Sequence, residues 1–201
     1  MALKLKLLDS SISHTFIEPI KRINEGQDVS TFLASQAYRD IITFLVQLNR
    51  AMFPRSITPA LSRPSTSTSP SISQLQALLQ ALDSLTDATP LDPGSHRFGN
   101  TAFRKWHQAF EQQSTDLLAK YLPSTVLEFP HTASSSSHTN AAKEIQAYLL
   151  GSFGSAQRLD YGTGHELSFL AFLAGIWKLG GFQDPTNDDI ERDIVLNVIE
   201  P

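Results

Sequence analysis

Hydrophobic residues recur every three or four positions along most of this chain, which is the spacing of one face of an α-helix. No segment shows sustained alternation of apolar and polar residues between hairpin turns, the pattern that indicates a strand. The sequence therefore predicts an all-α fold, in a single domain over residues 1–201. Two of the clearest stripes are Leu75, Leu78, Leu79, Leu82 and Leu85 in a helix from about Ser71, and Phe103, Trp106, Phe110, Leu117 and Leu118 in a helix over roughly Asn100 to Tyr121.

Three further helices follow from the same spacing. A first long helix is predicted after Asp28, a plausible N-terminal cap, and Pro54 forbids its continuation. A shorter helix leads to Gly151, and an amphipathic segment begins near Asn187. The inward positions are Phe32, Ile41, Leu45 and Leu48 in the first, Ile145, Tyr148 and Leu149 in the second, and Ile190, Ile194, Val195 and Val198 in the third.

The segment from Leu167 to Leu179 differs from these, because its apolar residues occupy most of the circumference of a helix. That distribution predicts a central helix surrounded by the others. Gly180 and Gly181 supply its end, since glycine adopts the left-handed cap conformation without a side-chain clash. Trp106 and Trp177 stand in register with other apolar positions, so we expect both in the core rather than on a binding surface.

Two serine-rich segments, at about 62–71 and 131–140, interrupt the helical pattern. They lack apolar groups whose burial would offset the entropy lost on ordering. We expect both to be surface loops.

Composition narrows the function classes. A net charge of -4, from 16 basic and 20 acidic residues, gives no indication of nucleic acid or an anionic membrane as a partner. The absence of cysteine excludes disulfides and thiolate metal sites. The longest apolar run is too short to cross a bilayer, and residues 1–11 lack the features of a signal peptide. We therefore expect a cytoplasmic or nuclear protein.

The densest chemistry lies in the segment Arg158 to Glu166, directly before the predicted central helix. Gly162 and Gly164 flank Thr163, an arrangement that can expose backbone N–H groups and the positive end of the helix dipole to an anion. Arg158 adds a planar donor fork suited to phosphate oxygens. Two interpretations stay open: a phosphate or nucleotide site, and a helix entry shaped by glycine.

Asp160, His165 and Glu166 could be acid–base partners or metal ligands. Against that, a carboxylate such as Glu166 is favoured in the first turn of a helix, and Asp160 is placed to bond amides of the turn. His165-Glu166 lacks the second histidine of a zinc protease helix, and no serine lies in a nucleophile elbow. Hydrolytic catalysis is therefore not favoured, and we predict no metal site in this chain.

Two motifs occur in a fixed order along the chain. The first is Arg97-Phe98-Gly99-Asn100 followed by Phe103-Arg104 and Trp106, and the second is Arg158-Leu159-Asp160-Tyr161-Gly162-Thr163-Gly164-His165-Glu166 leading into Phe169 to Leu173. Together they resemble the phosphotyrosyl phosphatase activator family. The segments Ile17 to Ile23, Ser35 to Tyr38 and Phe44 to Asn49 are similar to that family's first block. The resemblance covers almost the whole chain apart from the two serine-rich segments.

The resemblance implies an all-helical fold of core, linker and lid, which activates type 2A serine/threonine phosphatases by way of their catalytic subunit. It also implies peptidyl-prolyl cis-trans isomerase activity on a proline-containing peptide, and binding of ATP with magnesium. The positions that match nucleotide contacts of the family are Arg158, Thr163 and Gly164. The family's Gly-Val-Trp-Gly-Leu-Asp-Asp run, which carries its magnesium contacts, does not occur in this sequence, so we interpret the chain as lacking the C-terminal part of the fold.

A peptide or phosphatase groove is expected where the two motifs meet, with Tyr161 as a flat contact for proline. Its candidate residues are Arg97, Asn100, Asp160, Tyr161, His165 and Glu166. Two alternatives to an isomerase that activates a phosphatase stay open. One is a non-catalytic module that binds the phosphatase, and the other is an inactive fragment with exposed apolar helices.

Overall fold

The computed structural model describes residues 4–54, 69–94, 99–132, 139–184 and 189–200. Within those ranges the regular structure is helical, with two isolated β-bridges, so the all-α prediction is confirmed. The helices are α1 (Gly26–Leu33), α2 (Gln36–Ala51), α3 (Pro70–Asp87), α4 (Ala102–Tyr121), α5 (Ser124–Leu127), α6 (Ala141–Leu150), α7 (Thr163–Lys178) and α8 (Ile190–Ile194), followed by a π-helical turn (Val195–Ile199).

The first predicted helix is two helices. Ser35 separates them, because its Oγ accepts a hydrogen bond from the Tyr38 N–H at 3.1 Å and so starts α2. Asp28 lies inside α1, where its carboxylate accepts from the N–H groups of Asn24 and Glu25. The prediction that Asp28 caps one long helix is therefore wrong. Phe32 accordingly belongs to a separate helix, and α1 has no buried residues.

The core lies between two pairs of packed helices, α3 with α4 and α6 with α7. Contacts between α4 and α6 join the two pairs. Helix α2 packs against α7, and α8 packs against α2, so that these two helices close one side of the core. The predicted stripes of α3, α4 and α6 are confirmed, and both tryptophans are buried. The largest side chains that are almost fully enclosed are Phe44, Phe110, Phe172, Ile72, Leu78, Leu149, Leu173, Ile176 and Ile194.

Helix α7 is enclosed only in its C-terminal half. Phe172, Leu173, Ile176 and Trp177 are buried there, and the Trp177 Nε1–H donates to the Leu5 carbonyl at 3.0 Å. Gly180 has φ +79°, as predicted for the cap, and the Gly181 N–H returns to the Ile176 carbonyl. The N-terminal half is open to the surface, which corrects the prediction of a helix surrounded along its whole length.

The serine-rich segments fall partly outside the described residues. Helix α3 begins at Pro70, whose fixed φ suits a first helical position, so the last two residues of the loop predicted over 62–71 are helical. Residues 131–132 of the second segment pair with His14, and Asn140 caps α6. Residues 55–68 and 133–138 lie outside the described ranges. No helix among the residues that the structure describes combines the length and apolar character needed to cross a membrane.

Candidate functional site at the start of helix α7

A short closed loop leads into α7. The Ser155 N–H donates to the Asp160 carbonyl at 3.0 Å, and the Leu159 N–H donates to the Ser155 carbonyl at 2.7 Å. Leu159 adopts the left-handed conformation, with φ 55°. For a residue with a branched side chain that conformation costs about 1–2 kcal/mol, so the rest of the loop must impose it.

Arg158 and Asp160 form an ion pair on the outer side of this loop. The Arg158 Nε donates to the Asp160 Oδ2 at 2.7 Å, and both side chains are at least half exposed. The hydrogen bond from Arg158 is the main cause that lowers the pKa of Asp160 below its usual value. Asp160 is therefore an anion near neutral pH. Because the pair is exposed, it presents both charges to a partner more than it stabilises the fold.

The N-terminus of α7 is open. Gly162 precedes the helix, and its carbonyl accepts from the His165 N–H at 2.8 Å. A Cβ built on Gly162 or Gly164 would meet no heavy atom of a more distant described residue within 4 Å, so neither position is covered by another part of the described chain. The first N–H groups of a helix have no intrahelical partner. This surface can thus receive an anion, as the sequence suggests.

Tyr161 and His165 stack on each other at the mouth of the site. Their ring centroids are 5.7 Å apart with planes 20° from parallel, and Tyr161 is 61% exposed. The His165 Nδ1 lies 2.7 Å from the Gly151 carbonyl oxygen. Since a carbonyl only accepts, Nδ1 carries a proton, and Nε2 is the acceptor in the neutral ring. The two rings form a flat, exposed platform, and the hydrogen bond from His165 to the Gly151 carbonyl holds it in place.

An apolar groove of about 990 Å³ begins beside this platform. Its floor is the open half of α7, and its walls come from α2, α3 and the C-terminal turn. Glu166 and Glu200 are its two charged lining residues among those described. The apolar lining consists of Leu45, Leu48, Met52, Leu79, Phe153, Leu167, Phe169, Leu170, Val195, Val198 and Ile199.

The side chain of Asn100 forms hydrogen bonds at the turn that precedes α4. Its Oδ1 accepts from the N–H groups of Asp92 and Ala102 at 3.1 and 2.9 Å, and its Nδ2 donates to the Asp92 carbonyl. It thus holds the turn before α4, in which Thr101 is the N-terminal cap residue. The role of Asn100 in a peptide groove stays a prediction. Arg97, the other candidate of that motif, lies outside the described residues.

The two motifs nevertheless meet. Gly99 has φ +91°, and a Cβ built on it would lie 2.8 Å from the Leu159 carbonyl oxygen. Arg104 reaches the loop from α4, where its Nε donates to the Ala156 carbonyl at 3.1 Å. Both residues belong to the first motif, but the sequence alone indicates no role for either. The close approach of a glycine to a loop 60 residues away leaves no local pattern in a sequence.

The residues present suit a phosphate group better than a metal ion. Of the predicted nucleotide contacts, Thr163 and Gly164 lie in the first turn of α7, at the positive end of the helix dipole, and Arg158 lies in the loop that precedes it. No group of three or more His, Asp or Glu side chains in the described ranges is arranged to hold a metal ion. The N–H groups at the start of α7 and the Arg158 guanidinium therefore offer donors for an anion.

Comparison with known proteins agrees with the two motifs. A sequence profile described as phosphotyrosyl phosphate activator (PTPA) protein matches residues 19–201. The chain belongs to the PTPA family. The resemblance seen in the sequence is thus confirmed, and both PTPA motifs lie within the matched range.

Several PTPA proteins are similar over nearly the whole chain. A protein of Aspergillus oryzae named serine/threonine-protein phosphatase 2A activator 1 is 50% identical over 98% of this chain and 42% of its own length. A Saccharomyces cerevisiae protein of the same name is 35% identical over 88% of this chain and 41% of its own length. The crystal structure of the PP2A phosphatase activator Ypa1 superposes with a TM-score of 0.76 at 32% identity, over 98% of this chain and 57% of that one. This chain spans about half the length of the curated relatives it matches.

Proposed function

We propose that this chain takes part in the activation of a type 2A serine/threonine protein phosphatase, by binding the phosphatase catalytic subunit through the start of α7. The main support for this proposal is the exposed platform of Tyr161 and His165, which lies between the Arg158–Asp160 ion pair and the apolar groove. Aromatic and arginine side chains beside an apolar centre are the usual anchors of a protein interface. Relatives at up to 50% identity carry the activator name.

Within that proposal, prolyl isomerisation is the catalytic activity, and a proline-containing peptide is the second partner. The reaction needs no nucleophile, because its barrier of about 18–20 kcal/mol reflects lost amide resonance and falls when a site favours the twisted bond. The Tyr161 ring would contact the proline ring face to face. His165 Nε2 and the carboxylates of Asp160 and Glu166 would hold the flanking peptide N–H groups.

Nucleotide binding belongs to the same proposal. Arg158 and the N–H groups of Thr163 and Gly164 would hold phosphate oxygens of ATP at the positive end of α7. Magnesium would neutralise charge between those phosphates, and we assign it no ligand in this chain. A cytoplasmic and nuclear location completes the proposal and can be checked by microscopy of a tagged chain.

Binding to the purified catalytic subunit of a type 2A phosphatase tests the core of the proposal. Tyr161→Ala and Arg158→Ala should each weaken binding about tenfold or more, as expected for interface anchors. Ile12→Ala is the matched control, because Ile12 is 54% exposed and lies outside the site. Unchanged binding in both site variants would overturn the proposal. The Aspergillus oryzae activator serves as positive control: if it binds and this chain does not, the chain is an inactive fragment.

A proline-peptide assay separates the isomerase from the non-catalytic module. The chain alone should accelerate isomerisation, and Tyr161→Ala should remove most of that acceleration. Retained phosphatase binding without any acceleration would identify a binding module instead.

A further inference from the structure

The loop before α7 contains a conformation that it cannot stabilise by itself. Leu159 is half-buried and left-handed, with φ 55°, in a region that glycine and asparagine favour. Such conformations persist only where the surrounding structure determines them, and they occur often at functional sites. The contacts around Leu159 therefore show which residues set the shape of the site.

Arg104 holds the part of the loop that directly precedes Arg158 and Leu159. It lies in the first turn of α4, and its Nε donates to the Ala156 carbonyl at 3.1 Å. Its Nη2 is 3.5 Å from the Gln157 carbonyl, which is a longer and weaker bond. One planar guanidinium thus holds the two carbonyls that directly precede Arg158. These bonds join residues more than 50 positions apart.

Two glycines close the loop from the other sides. A Cβ on Gly99 would lie 2.8 Å from the Leu159 carbonyl oxygen and 2.9 Å from its Cβ. A Cβ on Gly154 would lie 3.0 Å from the Asp160 carbonyl oxygen and 3.1 Å from the Phe103 ring. Both glycines also have positive φ, so each is needed for conformation and for space. The backbone from Leu159 to Asp160 therefore lies against Gly99 in the turn before α4 and against Gly154 in the segment that follows α6.

We propose that Arg104 is the positioning residue of the candidate site. It acts through Leu159: its hydrogen bonds fix the Ala156 and Gln157 carbonyls, this keeps the following Leu159 in its left-handed conformation, and that conformation fixes where Arg158 and Asp160 meet a partner. Gly99 leaves the space that Leu159 occupies and contacts it closely. The proposal deepens the proposed function, on which it rests, by naming what links the first motif to the second.

Trypsin cleavage after Arg158, followed by mass spectrometry of the intact chain and its fragments, reports on the loop without any partner. Arg104→Ala should raise that cleavage rate about tenfold, because proteolysis follows the population of the open loop. Arg104→Lys should give an intermediate rate, since an ammonium cannot hold two carbonyls in one plane. Arg39→Ala, at an exposed arginine on α2, is the control and should leave cleavage after Arg158 unchanged.

A second substitution tests the route through Leu159. Asparagine adopts the left-handed conformation more readily, so Leu159→Asn should lower the need for Arg104. In that background Arg104→Ala should raise cleavage by less than about threefold. A loss of general stability would not be rescued in this way. Equal cleavage in wild type and Arg104→Ala, or no rescue by Leu159→Asn, overturns the proposal.

Alanine substitutions at two glycines test the contact between Gly99 and Leu159. Gly99→Ala should open the loop at least as much as Arg104→Ala. Gly94→Ala should not, although Gly94 also has positive φ, because nothing lies within 4 Å of its Cβ position. Equal effects of the two substitutions would contradict the proposed contact.

Phosphatase binding of the same variants separates the two proposals. Arg104→Ala should weaken binding together with Arg158→Ala. If Arg158→Ala weakens binding and Arg104→Ala does not, the positioning role is wrong. If Arg158→Ala has no effect, the proposed function fails at this residue, and the cleavage data alone decide whether Arg104 sets the loop.

Discussion

Glu144 is a half-buried carboxyl on α6 whose charge is costly where it lies. It accepts a hydrogen bond from the Ile17 N–H at 3.0 Å, which ties the N-terminal segment to the bundle. Burial raises the pKa of Glu144 above its usual value, although the bond from Ile17, the charge of Lys178 and the Tyr148 hydroxyl oppose that shift. Burial also raises the pKa of Tyr148 to about 12. The ionised carboxylate is thus incompletely compensated.

The stability of the fold should therefore depend on pH through Glu144. The folded state holds the Glu144 proton more tightly than the unfolded state, so this group's stabilisation is complete below the usual pKa of 4.5. It is lost as pH rises through the raised pKa. Relative to Glu144→Gln, which does not titrate, the wild type should lose melting temperature across that window and then level off. Melting curves of both proteins over a pH series measure it, with Glu128→Gln as the control at an exposed glutamate.

A difference between wild type and Glu144→Gln that stays constant with pH would contradict this account. A difference that grows as pH falls in favour of the glutamine variant would reverse its sign, and would mean that hydrogen bonds to the carboxylate outweigh burial.

Most of the candidate site could be predicted from the residues between Arg158 and Glu166, because glycines, a guanidinium and a helix start occur together in the chain. The geometry shows the Arg158–Asp160 pair, the stacked Tyr161–His165 rings and an open helix N-terminus. The left-handed Leu159 could not be predicted, because leucine gives no signal for that conformation. Its cause lies in Gly99 and Arg104, which are close only after folding.

At the scale of elements, hydrophobic spacing was sufficient where a helix buries one continuous face. Helices α3, α4 and α6 do so, and their predicted stripes are confirmed. Hydrophobic spacing did not predict the break between α1 and α2, because the residues at the break include neither glycine nor proline. The predicted inner face of α2 is confirmed at Leu48 and wrong at Leu45, which is 48% exposed beside the groove, and it omits the buried Phe44. Phe44 and Leu48 are four residues apart and therefore share one face of the helix, whereas Leu45 is rotated from Phe44 by about 100°.

Ser35 should be a stabilising residue, because it begins α2 where no stronger signal does. Ser35→Ala removes the acceptor for the Tyr38 N–H and should cost about 1 kcal/mol of unfolding free energy. Urea denaturation measures that change. Ser30→Ala, at an exposed position within α1, is the matched control and should be neutral or slightly stabilising, since alanine has the higher helix propensity. Equal effects of the two substitutions would show that α2 does not depend on this cap.

At the scale of the whole molecule, the open half of α7 is the main departure from a closed bundle. Apolar residues around the whole circumference of a helix indicate that each of its faces is buried against another surface. The pattern does not indicate whether that surface belongs to the same chain or to a partner. Here Leu167 remains 40% exposed, and the groove beside it continues to Ile199 in the C-terminal turn. An apolar surface of this kind favours association with another surface.

Leu45 and Leu167 should therefore drive association of the chain at high concentration. The double variant Leu45→Gln with Leu167→Gln should shift sedimentation-velocity profiles towards the monomer, because two of the exposed apolar walls become polar. Its melting temperature should change little, since both side chains already contact water. Leu48→Gln is the contrasting control: Leu48 is buried beneath the same groove, so this change should cost about 2–5 kcal/mol and leave the exposed surface intact. A wild-type chain that is monomeric at every concentration would show that the groove, although apolar, is too narrow or too mobile to hold a second surface.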